Sequence, residues 1–128
     1  MEVDRLNALS NEVIGAAIEV HRVLGPGLLE SVYSRCLHME LESRGLQVAR
    51  EVSIPLSYKG YSFENAYRLD LLVENELIVE AKALETMLPV HQAQVLTYLR
   101  MTGHRLGLLL NFNVDVMRHG IKRVVHGL

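Results

Sequence analysis

The sequence predicts an α/β protein in which helices flank a central mixed sheet. Two helical patterns open the chain, separated by Gly25-Pro26-Gly27. Residues 48–83 read as a β-meander punctuated by turn residues. A third helical pattern then precedes RLGLLLN at residues 105–111, a continuous apolar run of the kind buried on both faces of a sheet. The order helix, helix, meander, helix, strand buries its apolar faces most simply as one sheet covered by helices.

The first helix is expected over residues 11–24, with Ser10 as N-cap and Leu9 and Ile14 placed for a hydrophobic staple. Gly25-Pro26-Gly27 stops it. The second covers residues 28–44, with Leu29, Val32, Tyr33, Cys36, Leu37 and Leu41 on one stripe and Gly45 as its cap. Residues 48–58 form one or two short extended stretches, irregular or at an edge because of Pro55, and Lys59-Gly60 is a tight turn. Strands follow at residues 67–73 and 77–83. Pro89 starts the third helix as an N1 residue and Gly103 ends it. Residues 121–125 are a last strand.

A chain of 128 residues with 49% hydrophobic and 22% charged residues fits one domain, residues 1–128, with a real core. The lone Cys36 excludes an internal disulfide or a zinc cluster. No apolar run approaches the ~20 residues of a membrane span, and the acidic start MEVDRLNALS is unlike a signal peptide, so a cytoplasmic location is expected. The net charge of −2 hides an asymmetry: from Arg100 onward five basic residues face one acid, whereas eight face fourteen before it. A basic C-terminal third could meet a phosphate backbone, although charge counting alone favours an ordinary solvated surface.

The stretch DLLVENELIVEAK, from Asp70 to Lys82, carries the most chemistry. With Glu74-Asn75-Glu76 as the turn, Val73 faces Leu77 and opposite residues follow in register. Asp70 then falls across from Glu80 and Arg68 across from Lys82. Alternation puts Asp70, Glu80 and Lys82 on one face and Leu69, Leu71, Val73, Leu77, Val79 and Ala81 on the other. Like charges across a strand pair repel, and burial worsens the conflict. A divalent cation resolves it, since Mg²⁺ takes one or two carboxylates with waters and phosphate oxygens. Lys82 beside such a site could stabilise charge on a phosphate. An ion-pair ladder, with Lys82 and Arg68 neutralising Asp70 and Glu80, resolves it equally well.

On the third helix His91, Gln94 and Tyr98 share a narrow arc, presenting an amide and a phenol side by side for a nucleotide or for the hairpin's charged groups. Leu96 and Leu99 point toward another surface. Glu30 opens the second helix, with Tyr33 on nearly the same face. A glutamate in a first turn is often there for the macrodipole alone. His21, near the end of the first helix, reads as a packed or surface histidine.

Together these segments resemble the small bacterial GxxExxY proteins, which look like members of the PD-(D/E)xK nuclease superfamily. The resemblance runs through VIGAAIEVHRVLGPGLLESVY, YRLDLLVENELIVEAKA, PVHQAQVLTYL and LGLLLNF. Its specific parts are GPGLLESVY, with Gly27, Glu30 and Tyr33, and D-x₉-E-x-K followed by Q-x-x-x-Y. Leu69 stands where a proline is common. The resemblance implies a core of a helix, a three-stranded meander, a helix and a strand. It implies Mg²⁺ or Mn²⁺ on Asp70 and Glu80, with Glu30 as a further acidic residue at the metal. Lys82 would be the catalytic lysine, and Gln94 and Tyr98 an accessory pair, with Tyr33 and His91 as further candidates near substrate. The expected activity is phosphodiester hydrolysis in nucleic acid, foremost DNA. The alternatives are a non-catalytic nucleic-acid- or partner-binding module on the same fold, and a structural subunit; a homodimer or larger complex fits any of the three. Aromatics make up only 5% of residues, few for a self-sufficient single-strand binder.

Overall fold

A computed structural model describes residues 2–128. The elements are α1 (Glu2–Leu24), α2 (Glu30–Ser43), β1 (Val48–Tyr58), β2 (Tyr61–Val73), β3 (Leu77–Lys82), α3 (Pro89–Thr102), β4 (Leu106–Asn111), a 3₁₀ turn at Met117–Gly120, and β5 (Ile121–Val125). The strands form one mixed sheet in sequence order, antiparallel throughout except for the parallel pair β3–β4. That parallel step needs a crossover, and α3 supplies it.

One face of the sheet carries α1 and α2. Leu71, Val73, Leu77, Val79, Ala81, Leu106, Leu108 and Leu110 pack there against Val13, Ala17, Tyr33, Leu37 and Leu41. The other face carries α3, where Ile54, Leu69, Leu72 and Ile78 meet Tyr98 and Leu99. All six residues of β4 are buried, as its unbroken apolar run requires of a strand covered on both sides. Gly107 lies directly beneath α3: a Cβ there would come within 2.7 Å of Val95 Cγ1.

Several expectations need correction. α1 starts at Glu2, so Ser10 is no N-cap but a buried residue inside the helix, next to Leu6, Leu9 and Val13. α2 buries Tyr33, Ser34, Leu37 and Leu41, while Leu29 and Val32, expected on its stripe, are exposed. Leu99 does not point away from Tyr98; both enter the α3 core. Strand β2 is longer than expected, because it pairs with β1 out to a turn at Lys59 and Gly60, whose φ angles of 47° and 83° make the tight turn. The register shifts between Ile54 and Leu56, at Pro55, which has no N–H to give to the ladder.

The β2–β3 turn falls where the sequence placed it: Val73 pairs with Leu77, Glu76 N–H bonds Val73 O at 3.0 Å, and Glu74 and Asn75 both take positive φ. Farther along, β1 and β2 roll over. Val48 and Val73 pack on the α1/α2 side, whereas Val52 and Leu69, each four residues away, pack on the α3 side. A regular strand keeps residues four apart on one face. The change of face occurs at Glu51 and Asp70, where the ladder lacks a rung and Glu51 has φ of 52°. Leu69 and Leu71 therefore lie on opposite faces rather than on one.

Candidate active site

The β2–β3 ladder runs from Val73↔Leu77 to Leu71↔Val79 and stops. The next rung, expected as Asp70 opposite Glu80, is replaced by a reciprocal clasp. Asp70 N–H donates to Glu80 Oε2 at 2.7 Å, and Ala81 N–H donates to Asp70 Oδ2 at 2.9 Å. Two side-chain carboxylates thus accept backbone N–H groups where the β2–β3 ladder stops. Asp70 Oδ1 also accepts a hydrogen bond from Ser34 Oγ, at 2.6 Å, tying α2 to the clasp.

Glu80 is 5% exposed. Burial, then the neighbouring charges of Asp70 and Glu30, push its carboxyl up to about 7, against partial relief from the Asp70 N–H and the Lys82 ammonium. The ion-pair ladder does not form. Among the described residues, Lys82 pairs only with Glu30, Nζ to Oε1 at 3.9 Å, and Arg68 pairs with no acid. Lys82 instead ends β3 beside β4, its carbonyl accepting Phe112 N–H at 2.9 Å. Asp70 and Glu80 are joined by the clasp, and Lys82 and Glu30 lie near them as a pair of their own, so the neighbourhood holds more negative than positive charge.

The remaining candidates divide. Tyr98 is buried against the sheet beside Glu80. Burial, then the Glu80 and Tyr67 charges, hold its phenol up to about 12, so it keeps a proton to donate. Gln94 lies one turn earlier, half-buried. His91 is engaged in its own helix start, Nδ1 accepting Leu88 N–H at 2.9 Å. Tyr33, expected near substrate, is corrected: it is 0% exposed and stacks on Phe112 with ring centroids 4.7 Å apart. Its hydroxyl donates to Gly25 O at 2.6 Å and accepts Leu28 N–H at 3.1 Å. Tyr33 is therefore a positioning residue that pins the Gly-Pro-Gly loop and, through it, the start of α2 where Glu30 sits. On the far side of Lys82, Asn111 holds the loop after β3, bonding both the N–H and the carbonyl of Leu84.

Two residues were not legible as site residues. Arg50 and Glu51 line a cleft of about 440 Å³ together with Glu30, Ser34 and Asp70. The Arg50 Nε is buried without a hydrogen-bond partner. A guanidinium in the wall of such a cleft suits an anionic oxygen. The only sequence signal was their place opposite Asp70 in the meander. A more apolar groove of about 340 Å³ between α1 and α2, lined by Val20, Val23, Leu24 and Met39, shares no residue with the carboxylates.

The donor set bears on the kind of metal it suits. Among the described residues, no three His, Cys, Asp or Glu side chains converge into a cage. Two carboxylates that overbalance their lysine fit Mg²⁺ or Mn²⁺ completed by water and substrate oxygens, and not a structural zinc.

No match was found among curated proteins or among solved structures. The family model described as the PD-(D/E)XK nuclease superfamily matches residues 7–124. The order α2-β1-β2-β3-α3-β4 is that superfamily's helix, meander, helix and strand, with α1 and β5 added at the ends. Enzymes of this group generally use divalent metals. Matched over nearly its whole length and built on this architecture, the chain belongs to the PD-(D/E)XK nuclease superfamily.

Proposed function

We propose that the protein is a metal-dependent nuclease that hydrolyses phosphodiester bonds in nucleic acid, DNA foremost. The observation that carries this reading is the unneutralised carboxylate clasp. Asp70 and Glu80 lie together in the sheet, Glu80 is buried, and neither has the ion-pair partner that a structural role would supply. Asp70 and Glu80 would hold Mg²⁺ or Mn²⁺, with Glu30 at the margin. The ion would supply Lewis acidity toward the phosphate and a more acidic water.

The chain's own groups have separate tasks. Lys82, held 17% exposed at the end of β3, offers its ammonium to a phosphoryl oxygen as charge develops there. Glu30 keeps that ammonium near the carboxylates. Arg50 offers donors to a neighbouring phosphate from the cleft side. Tyr98, whose phenol keeps its proton, closes the α3 side of the sheet near Glu80.

Mn²⁺ is titrated by calorimetry into wild type and Glu80→Ala, and the same samples are assayed on DNA and RNA. Binding lost in the variant, with metal-dependent cleavage by wild type alone, is the expected result. Binding without cleavage would favour a module that binds nucleic acid or a partner. No binding at all would overturn the metal site.

A further inference from the structure

Residues 55–68 of β1 and β2 project as a two-stranded arm. Every residue from Tyr61 to Arg68 is exposed, on both faces of the strand. Four of the chain's seven aromatic side chains sit here: Tyr58, Tyr61, Phe63 and Tyr67, at 59%, 71%, 52% and 39% exposure. Rings of this size normally enter the core, where burial is their main contribution.

Their placement is one-sided. Leu56 pairs with Phe63 and Tyr58 with Tyr61, and residues two apart share a face, so these four side chains line one side of the arm. Ser57 pairs with Ser62 on the other. One side is therefore built from rings and the other from serines. The ring side does not end in solvent. Tyr67 touches Tyr98 with ring centroids 5.8 Å apart, and three residues further along β2 Asp70 enters the clasp with Glu80. Counted along β1, from Tyr58 opposite Tyr61 to Glu51 opposite Asp70, the track runs roughly 23 Å at ~3.3 Å per residue. Lys59 sits at the tip, 5.4 Å from the Tyr58 ring centroid, while Arg68, paired with Ser53, projects from the opposite side to Tyr67. Glu64 is the one acid in this stretch.

We propose that the β1–β2 arm is a stacking track for single-stranded nucleic acid, its bases on the aromatic side and its backbone passing Lys59 at the tip, leading the strand to the carboxylate clasp. The inference rests on the nuclease reading of that clasp and names its substrate class. Bases stack on exposed rings whatever their sequence, and cations beside the rings meet the phosphates. A duplex keeps its base faces covered and gains nothing from the rings. The low aromatic content of the chain concealed this, because most of its aromatics are gathered on one arm.

The test is fluorescence anisotropy of a labelled oligothymidylate, and of a duplex of equal length, with EDTA present to prevent cleavage. Wild type is compared with the double variant Tyr61→Ser, Phe63→Ser, whose thermal stability and Mn²⁺ affinity serve as controls for fold and site. The expected result is at least a ~10-fold loss of oligothymidylate affinity, persisting at high salt, with duplex affinity nearly unchanged. Unchanged single-strand affinity overturns the proposal. So does equal wild-type affinity for the duplex, or a wild-type dimer that the double variant dissociates, which would assign the rings to a second copy. Cleavage with Mn²⁺ separates the two readings. An arm-dependent binder that never cleaves sustains the track and sinks the nuclease; a cleaving enzyme indifferent to the arm does the reverse.

Discussion

Replacing Glu80 by glutamine should stabilise the metal-free protein. The wild-type carboxyl is raised from 4.5 to about 7 by burial and by Asp70 and Glu30. Between those values the folded protein keeps a proton that the unfolded chain has released. Stability therefore falls as pH rises through that window and levels off above it. At ~1.4 kcal/mol per pH unit, the ionised folded state is disfavoured by about 3 kcal/mol at pH 8, and by under ~1 kcal/mol at pH 5. Glutamine keeps an oxygen for the Asp70 N–H and carries no charge. For a chain of this size about 3 kcal/mol corresponds to a melting point higher by roughly 10 °C. Thermal unfolding of both proteins in EDTA is the assay. A large gain at pH 8 that mostly vanishes at pH 5 is expected. A variant no more stable than wild type at pH 8 would show that Glu80 is already compensated, and the argument for an unneutralised clasp would fail.

Mn²⁺ should bind wild type about tenfold more weakly for each pH unit below about 7, because Glu80 must shed its proton first; a flat pH dependence by calorimetry would remove Glu80 from the site. Lys82→Ala should abolish cleavage while leaving the melting point and Mn²⁺ affinity near wild type, and retained cleavage would deny it a chemical role. Tyr33→Phe should cost about 1–2 kcal/mol in denaturant unfolding, by stranding Gly25 O and Leu28 N–H, and should loosen the loop before Glu30. Gly107→Ala should cost about 1–3 kcal/mol, since its methyl must displace Val95, and an unchanged stability would mean that α3 can lift from β4 at little cost.

Much of this architecture was legible because it depends on period and punctuation. The turn at Glu74 and Asn75 set the register of β2 on β3, and Pro89 and Gly103 bounded α3. The errors share a physical origin. Ser10 satisfies every local rule for an N-cap, yet Leu6, Leu9 and Val13 continue the buried stripe across it, and tertiary burial overrode the capping signal. The outer half of β2 was missed because Glu64-Asn65-Ala66 breaks the alternation, with Asn65 at φ of 56°. The identities of Asp70, Glu80 and Lys82 could be read, but their geometry could not. A two-residue period has no means of showing a strand pair that rolls over, so the side-chain clasp and the neighbourhood of Arg50 and Glu51 stayed hidden.

The clasp also turns two backbone amides into gauges. In an ordinary ladder an N–H reports on a carbonyl, which has no charge state to change. The amides of Asp70 and Ala81 instead end on titratable oxygens. When Glu80 ionises near pH 7 the Asp70 amide resonance should move. A cation that draws the carboxylates outward should release both protons to exchange with solvent. Occupancy of the site can thus be followed from within the sheet, at single residues, with no label and no turnover.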